Sequence, residues 1–96
     1  MRHANDGIER MTMDQRIEAR LREAFAPERL EVINESHLHA GHAGHDGTGE
    51  SHYRVRIRSA TLDGMSRVAM HRAVNAALRD ELRTVHALAI DAKGTA

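Results

Sequence analysis

The sequence predicts an α+β domain. It is a two-layer sandwich in the order helix, strand, strand, helix, strand, with a three-stranded mixed sheet carrying both helices on one face. Three observations lead there. Apolar residues recur at helical spacing in two stretches, one between Thr12 and Pro27 and one from Ser66 to about Arg83. Residues 52–59, His-Tyr-Arg-Val-Arg-Ile-Arg-Ser, alternate apolar residues with arginine, as a half-buried antiparallel strand does. The second helical stretch then feeds a period-two segment, Val85 to Ala92, through two or three residues.

The elements follow in order. Residues 1–11 are polar and aperiodic, and are expected to be a disordered extension ahead of one domain at 12–96. Thr12-Met13-Asp14-Gln15 has the form of a capping box, with a hydroxyl at the N-cap and Gln three residues on. Ile17, Leu21, Ala24 and Phe25 share the helix's apolar face, and Pro27 ends it. Arg16, Glu18, Arg20, Arg22 and Glu23 make a polar face, expected to be solvated. Leu30 to Ile33 is a short strand.

Residues 37–51 form a loop with four Gly and four His, far longer than the two to five residues of an ordinary hairpin connection. After the alternating strand, Asp63-Gly64 marks a turn and Ser66 caps the second helix. Its apolar side carries His71, Val74, Leu78 and Leu82. On the last strand, His86, Leu88 and Ile90 share one face. Strand, helix and strand in that order permit a parallel pair through a right-handed crossover.

Composition bounds the function. The 96 residues are 41% hydrophobic but only 2% aromatic, so the core is built from aliphatic side chains and Met. Formal net charge is zero, which argues against binding that lives on phosphate attraction alone. There is no Cys, so disulfides, thiolate zinc sites and cysteine nucleophiles are excluded within the chain. No apolar run reaches membrane-spanning length and no signal-peptide core is present, so a cytoplasmic protein that does not engage membranes is expected. No nucleophile–base pair, phosphate loop or paired carboxylates stand out, and the chain is not expected to be an enzyme.

Eight histidines are the compositional oddity. His37, His39, His42 and His45 lie in the glycine-rich loop, with His52 just beyond. Such a segment is either a source of imidazole ligands or a solvated low-complexity loop. His86 and His71 form a second candidate, since each lies on a side that otherwise reads as apolar. Burying an imidazole there is costly unless it is bonded or at the rim. A third candidate is the row Arg54, Arg56, Arg58 with Arg67 and Arg72. It reads either as a phosphate contact or as a solvated face paired with Glu31 and Glu35.

Four ordered motifs complete the pattern: L-E-V-I-N-E-S at 30–36, G-E-S-H-Y-R-V at 49–55, H-R-A-V-N-A-A-L-R-D-E-L at 71–82 and V-H-A-L-A-I at 85–90. Together they resemble the BolA family over about 13–92. Leu62-Asp63-Gly64 stands where members usually have Phe-x-Gly, and Met70 where many have Arg.

The resemblance implies a KH-like fold without the Gly-x-x-Gly loop. It also implies a partnership with a monothiol glutaredoxin, as a heterodimer sharing a [2Fe–2S] cluster. The glutaredoxin side brings its cysteine and a glutathione thiolate. This chain brings His86 and a second residue from the loop, His39 by alignment, with His42, His45 and His37 as competitors. No cofactor is expected to stay tightly bound to the isolated chain, itself a monomer or weak dimer. The family is also described as transcriptional regulators. That alternative would use helix 66–83 and Arg67, Arg72 and Arg79 against DNA. Metal binding by the His-rich loop alone is a third reading.

Overall fold

The computed structural model describes residues 11–36 and 52–96. The proposed extension 1–11, apart from Met11, and the His/Gly-rich segment, with His37, His39, His42 and His45, lie outside the described residues. The element order is α1 (Met13–Phe25), β1 (Arg29–Asn34), β2 (His52–Arg58), α2 (Arg67–Ala77) and β3 (Ala87–Lys93). Short 3-10 turns lie at Ala60–Leu62 and Glu81–Arg83. No helix among the described residues is long and apolar enough to cross a membrane.

The capping box at the start of α1 is formed in both directions. Gln15 N–H donates to Thr12 Oγ1 at 3.2 Å, and Thr12 N–H to Gln15 Oε1 at 3.0 Å. Met13, Ile17, Leu21 and Phe25 are buried, while Ala24, expected on that face, is exposed. At the far end Ala26 takes a left-handed conformation with φ 43°, and the buried Ser59 hydroxyl donates to the Phe25 carbonyl at 2.6 Å.

The sheet is mixed, in the order β1-β2-β3, with β1–β2 antiparallel and β2–β3 parallel. Its register makes two sets of cross-strand rows. Leu30–Ile57–Ala92, Val32–Val55–Ile90 and Asn34–Tyr53–Leu88 form the inner rows. The apolar members of these rows join α1 and the buried Val74 and Leu78 in one core, so both helices cover the same face. The Tyr53 hydroxyl, buried with its ring, donates to Asp14 Oδ1 at 2.7 Å.

The outer face carries the arginine row. Arg54 pairs with Glu35 at 2.9 Å, Arg56 with Glu31 at 3.9 Å and Arg58 with Glu28 at 4.0 Å.

Three boundaries differ from expectation. The second helix ends at Ala77 rather than running to Arg83. At Leu78, φ −102° and ψ 18° leave the helical region, and the chain tightens through the 3-10 turn at Glu81–Arg83. The residues 76–83 are good helix formers, so propensity does not stop the helix. The break lets Leu78, Glu81 and Val85 all turn inward. The last strand begins at Ala87 rather than Val85, which leaves His86 just before the strand and exposed. It also runs on to Lys93, because Ser59 N–H donates to the Lys93 carbonyl at 3.0 Å.

Candidate functional site

The parallel pairing decides where the histidines meet. His52 opens β2 opposite Ala87, so His86 stands beside it at the same end of the sheet. Their ring centroids are 6.4 Å apart, with planes at 85°, edge to face. The polypeptide next to them is held by local bonds. His52 N–H donates to Ser36 Oγ at 3.0 Å, and Glu35 N–H donates to the His52 carbonyl at 2.8 Å. Ser36 N–H in turn donates to Asn34 Oδ1 at 2.9 Å, an Asx turn. Ser36 and His52, the described residues on either side of 37–51, therefore lie together at the corner that carries His86.

His71 does not join this corner. It is half-buried on α2, lining a groove with Arg67, Met70 and the Ile90–Lys93 end of β3. Ile90 is four residue steps along the chain from His86, roughly 13 Å at the rise of a strand. The sequence-level pairing of His71 with His86 is thus not formed.

Arg67 and Arg72 are exposed on α2, and Arg79 is exposed in the turn beyond its end. Among the described residues none of the three has a carboxylate within ion-pair distance. Arg72 is five residue steps from Arg67, about 140° around a helix, so the three do not make a single row.

Glu81 is the residue that sequence reasoning missed. Its side chain is fully buried, and Oε2 accepts from Arg16 Nη2 at 3.0 Å and Arg20 Nε at 3.2 Å. The α1 face expected to be solvated is thus partly an ion-pair surface. Glu81 also holds the approach to His86, because its carbonyl accepts from Thr84 and Val85 N–H, both at 3.1 Å. A signal was present: Val74, Leu78 and Glu81 stand at i, i+4 and i+7, so a carboxylate occupies a position on the apolar stripe.

At the other end of the sheet, Asp63 accepts backbone hydrogen bonds from Thr95 and Ala96. Those bonds, Thr95 first, hold its carboxyl below the ordinary aspartate range.

A family model described as "BolA-like protein" matches residues 21–96. An uncharacterized protein in the cobS 5' region of a Sinorhizobium species is 61% identical over 83 residues, 84% of this chain and 89% of that protein. The DNA-binding transcriptional regulator BolA of Vibrio cholerae is 47% identical, covering 77% of this chain and 67% of that protein. The chain spans only 54% of the length of the mouse and human BolA-like protein 1. Among solved structures, the BolA domain of SufE1 from Arabidopsis thaliana matches with a TM-score of 0.79 at 38% identity, covering 88% of this chain and 94% of that one.

Proposed function

The chain belongs to the BolA-like family, and on that premise we propose that it is a non-enzymatic partner of a monothiol glutaredoxin. The two proteins share a [2Fe–2S] cluster as cargo, for cluster assembly, transfer or iron regulation in the cytoplasm. The observation that carries the reading is the corner itself. His86 is exposed at the head of β3, beside His52, whose N–H is bonded to Ser36.

The donor set fits half a coordination sphere. Imidazole is a ligand for iron, and an exposed one can be met by a second protein. Among the described residues no three His, Cys, Asp or Glu side chains converge on a metal site. The corner would therefore supply part of the ligand set, and the glutaredoxin cysteine with a glutathione thiolate the rest. Imidazoles in place of thiolates lower the ligand charge on one iron and raise the reduction potential. They bind only when neutral, so acid favours release. By the family resemblance the second donor from this side is His39, with His42, His45 and His37 nearby in sequence. A BolA domain carried within SufE1 supports the picture of a module that works with other proteins.

The test is a titration of cluster-loaded monothiol glutaredoxin with this protein, followed by visible absorption and circular dichroism, beside His86→Ala. The expected result is a saturable one-to-one spectral change that is lost or altered in the variant. No change with either protein would remove the reading.

A DNA-binding role is the second reading, favoured by the name of the Vibrio relative and by the exposed Arg67, Arg72 and Arg79. It requires affinity that falls steeply with salt and is weakened by removing those arginines.

A further inference from the structure

We propose that Arg29, Arg58 and Lys93 bind the phosphoryl group of a small phosphorylated molecule, on the uncovered face of the sheet at the end opposite His86. The site is independent of the cluster-sharing reading. Arg58 is six residue steps along β2 from His52, roughly 20 Å.

Three observations converge on it. The first is register. Arg29 pairs with Arg58 and Arg58 with Lys93, so three cations stand side by side in one row across the sheet. Neighbouring strands lie about 4.8 Å apart, which puts the row within about 10 Å. The sequence shows an arginine row along β2; only the pairing of three strands makes this one across it. Like charges directly opposite one another weaken a sheet. The next row, Glu31–Arg56–Asp91, alternates in sign and carries no such penalty.

The second is the lack of neutralisation. Arg58 meets Glu28 only at 4.0 Å, with both side chains about half exposed. Among the described residues neither Arg29 nor Lys93 has a carboxylate within ion-pair distance. All three cations are exposed.

The third is shape and fixity. Arg29, Glu31, Arg56, Arg58, Asp91 and Lys93 line an open concavity of about 160 Å³. That is below the roughly 300–1,000 Å³ of pockets that enclose a whole ligand, and it suits one charged group. The backbone beneath is held. Glu28 N–H donates to the Arg58 carbonyl and Ser59 N–H to the Lys93 carbonyl, both at 3.0 Å.

The charge pattern selects the ligand. A carboxylate offers one charge in one plane. A phosphoryl group offers nearly two charges and three oxygens, enough to meet two arginine forks and a lysine together. A nucleic-acid strand fits poorly. Glu31 and Asp91 lie about 7 Å along the strands, within a Debye length of the row. The chain also has no net charge to draw a polyanion.

The test uses the full-length chain and inorganic pyrophosphate at constant ionic strength, read by ¹⁵N NMR of the arginine Nε and lysine Nζ groups. Lys93 is the only lysine in the sequence, so its signal is unambiguous. Saturable shifts are expected at Arg29, Arg58 and Lys93. Arg29→Gln, Arg58→Gln and Lys93→Gln should each weaken binding about three- to tenfold. Arg22→Gln, on the exposed side of α1, should not. Glu28→Gln, which removes the competing carboxylate, should tighten it. Without ligand, Arg29→Gln and Lys93→Gln should each raise the urea midpoint, because each relieves the row. A purely structural role would not combine a gain in stability with a loss of binding.

His86→Ala, which tests the cluster reading, should leave all of these shifts in place. Shifts no larger than those produced by NaCl would overturn the proposal. So would an oligoglutamate peptide or a single-stranded oligonucleotide that binds the row more tightly than pyrophosphate.

Discussion

At the scale of single residues, Glu81 bears the largest local load. Its carboxylate is buried between two arginines that remain about a quarter exposed. Glu81 Oε1 and Arg16 Nε are buried with no hydrogen-bond partner among the described residues. Desolvation therefore takes back part of what the pairing contributes. Removing the carboxylate leaves the arginines facing each other, though both can turn toward water. Glu81→Ala is expected to lower stability by about 2–4 kcal/mol in urea unfolding, and to broaden the His86 signals in NMR spectra because the preceding turn loosens.

Asp63 makes a smaller, pH-dependent contribution. Its folded pKa lies below the usual aspartate value of 3.8. The bonds to the Thr95 and Ala96 amides are thus fully present above that value and lost as pH falls through the lower folded one. The Thr95 amide shift should titrate with a midpoint below 3.8, and Asp63→Asn should abolish the titration. Gly94 belongs to the same contact, since a Cβ there would fall onto the Asp63 carboxylate.

At the scale of elements, the ends matter more than the middles. The end of α1 is held by Ser59 and by Ala26 in the left-handed region, where a Cβ is unfavourable. Ala26→Gly relieves that conformation and is expected to raise the urea midpoint by the equivalent of about 0.5–1 kcal/mol. A lower midpoint would mean that the added freedom of the unfolded chain outweighs the relief.

Among the described residues, the open end of the β1–β2 pair is closed by the Ser36 and Glu35 bonds to the His52 backbone. Replacing residues 37–51 with four Gly/Ser residues should therefore preserve the sheet and raise stability by about 1 kcal/mol, from the lower closure entropy. An intact amide spectrum for 52–58 in the shortened protein is the check.

At the scale of the whole molecule, the sheet divides the chemistry. One face is aliphatic and covered by two helices; the other pairs arginine with glutamate across strands. Exposed pairs of this kind each contribute about 0–1 kcal/mol and are screened by salt, while the Glu81 pair is screened far less. With no net charge to relieve, urea stability should change by less than about 1 kcal/mol between 50 mM and 1 M NaCl. A larger loss would mean that the outer face holds the sheet together.

Local rules made much of this legible in the sequence. The capping box, the Val55/Ile57 alternation and the Asp63-Gly64 turn each depend on neighbours a few residues away, and each stands where periodicity and turn chemistry put it. The motifs around His86 carried the family without any geometry. What local rules could not reach was decided by contacts between residues far apart in the chain. Arg16 and Arg20 drew Glu81 inward, and α2 ended six residues before its propensity ran out. Parallel pairing brought His52 to His86 and left His71 at the other end of β3. Residues 61 and 34 positions apart interact in those pairs, and no local period encodes which strand end will face which. The sequence determined the elements and the family; the closing of the sheet determined which imidazoles share a corner.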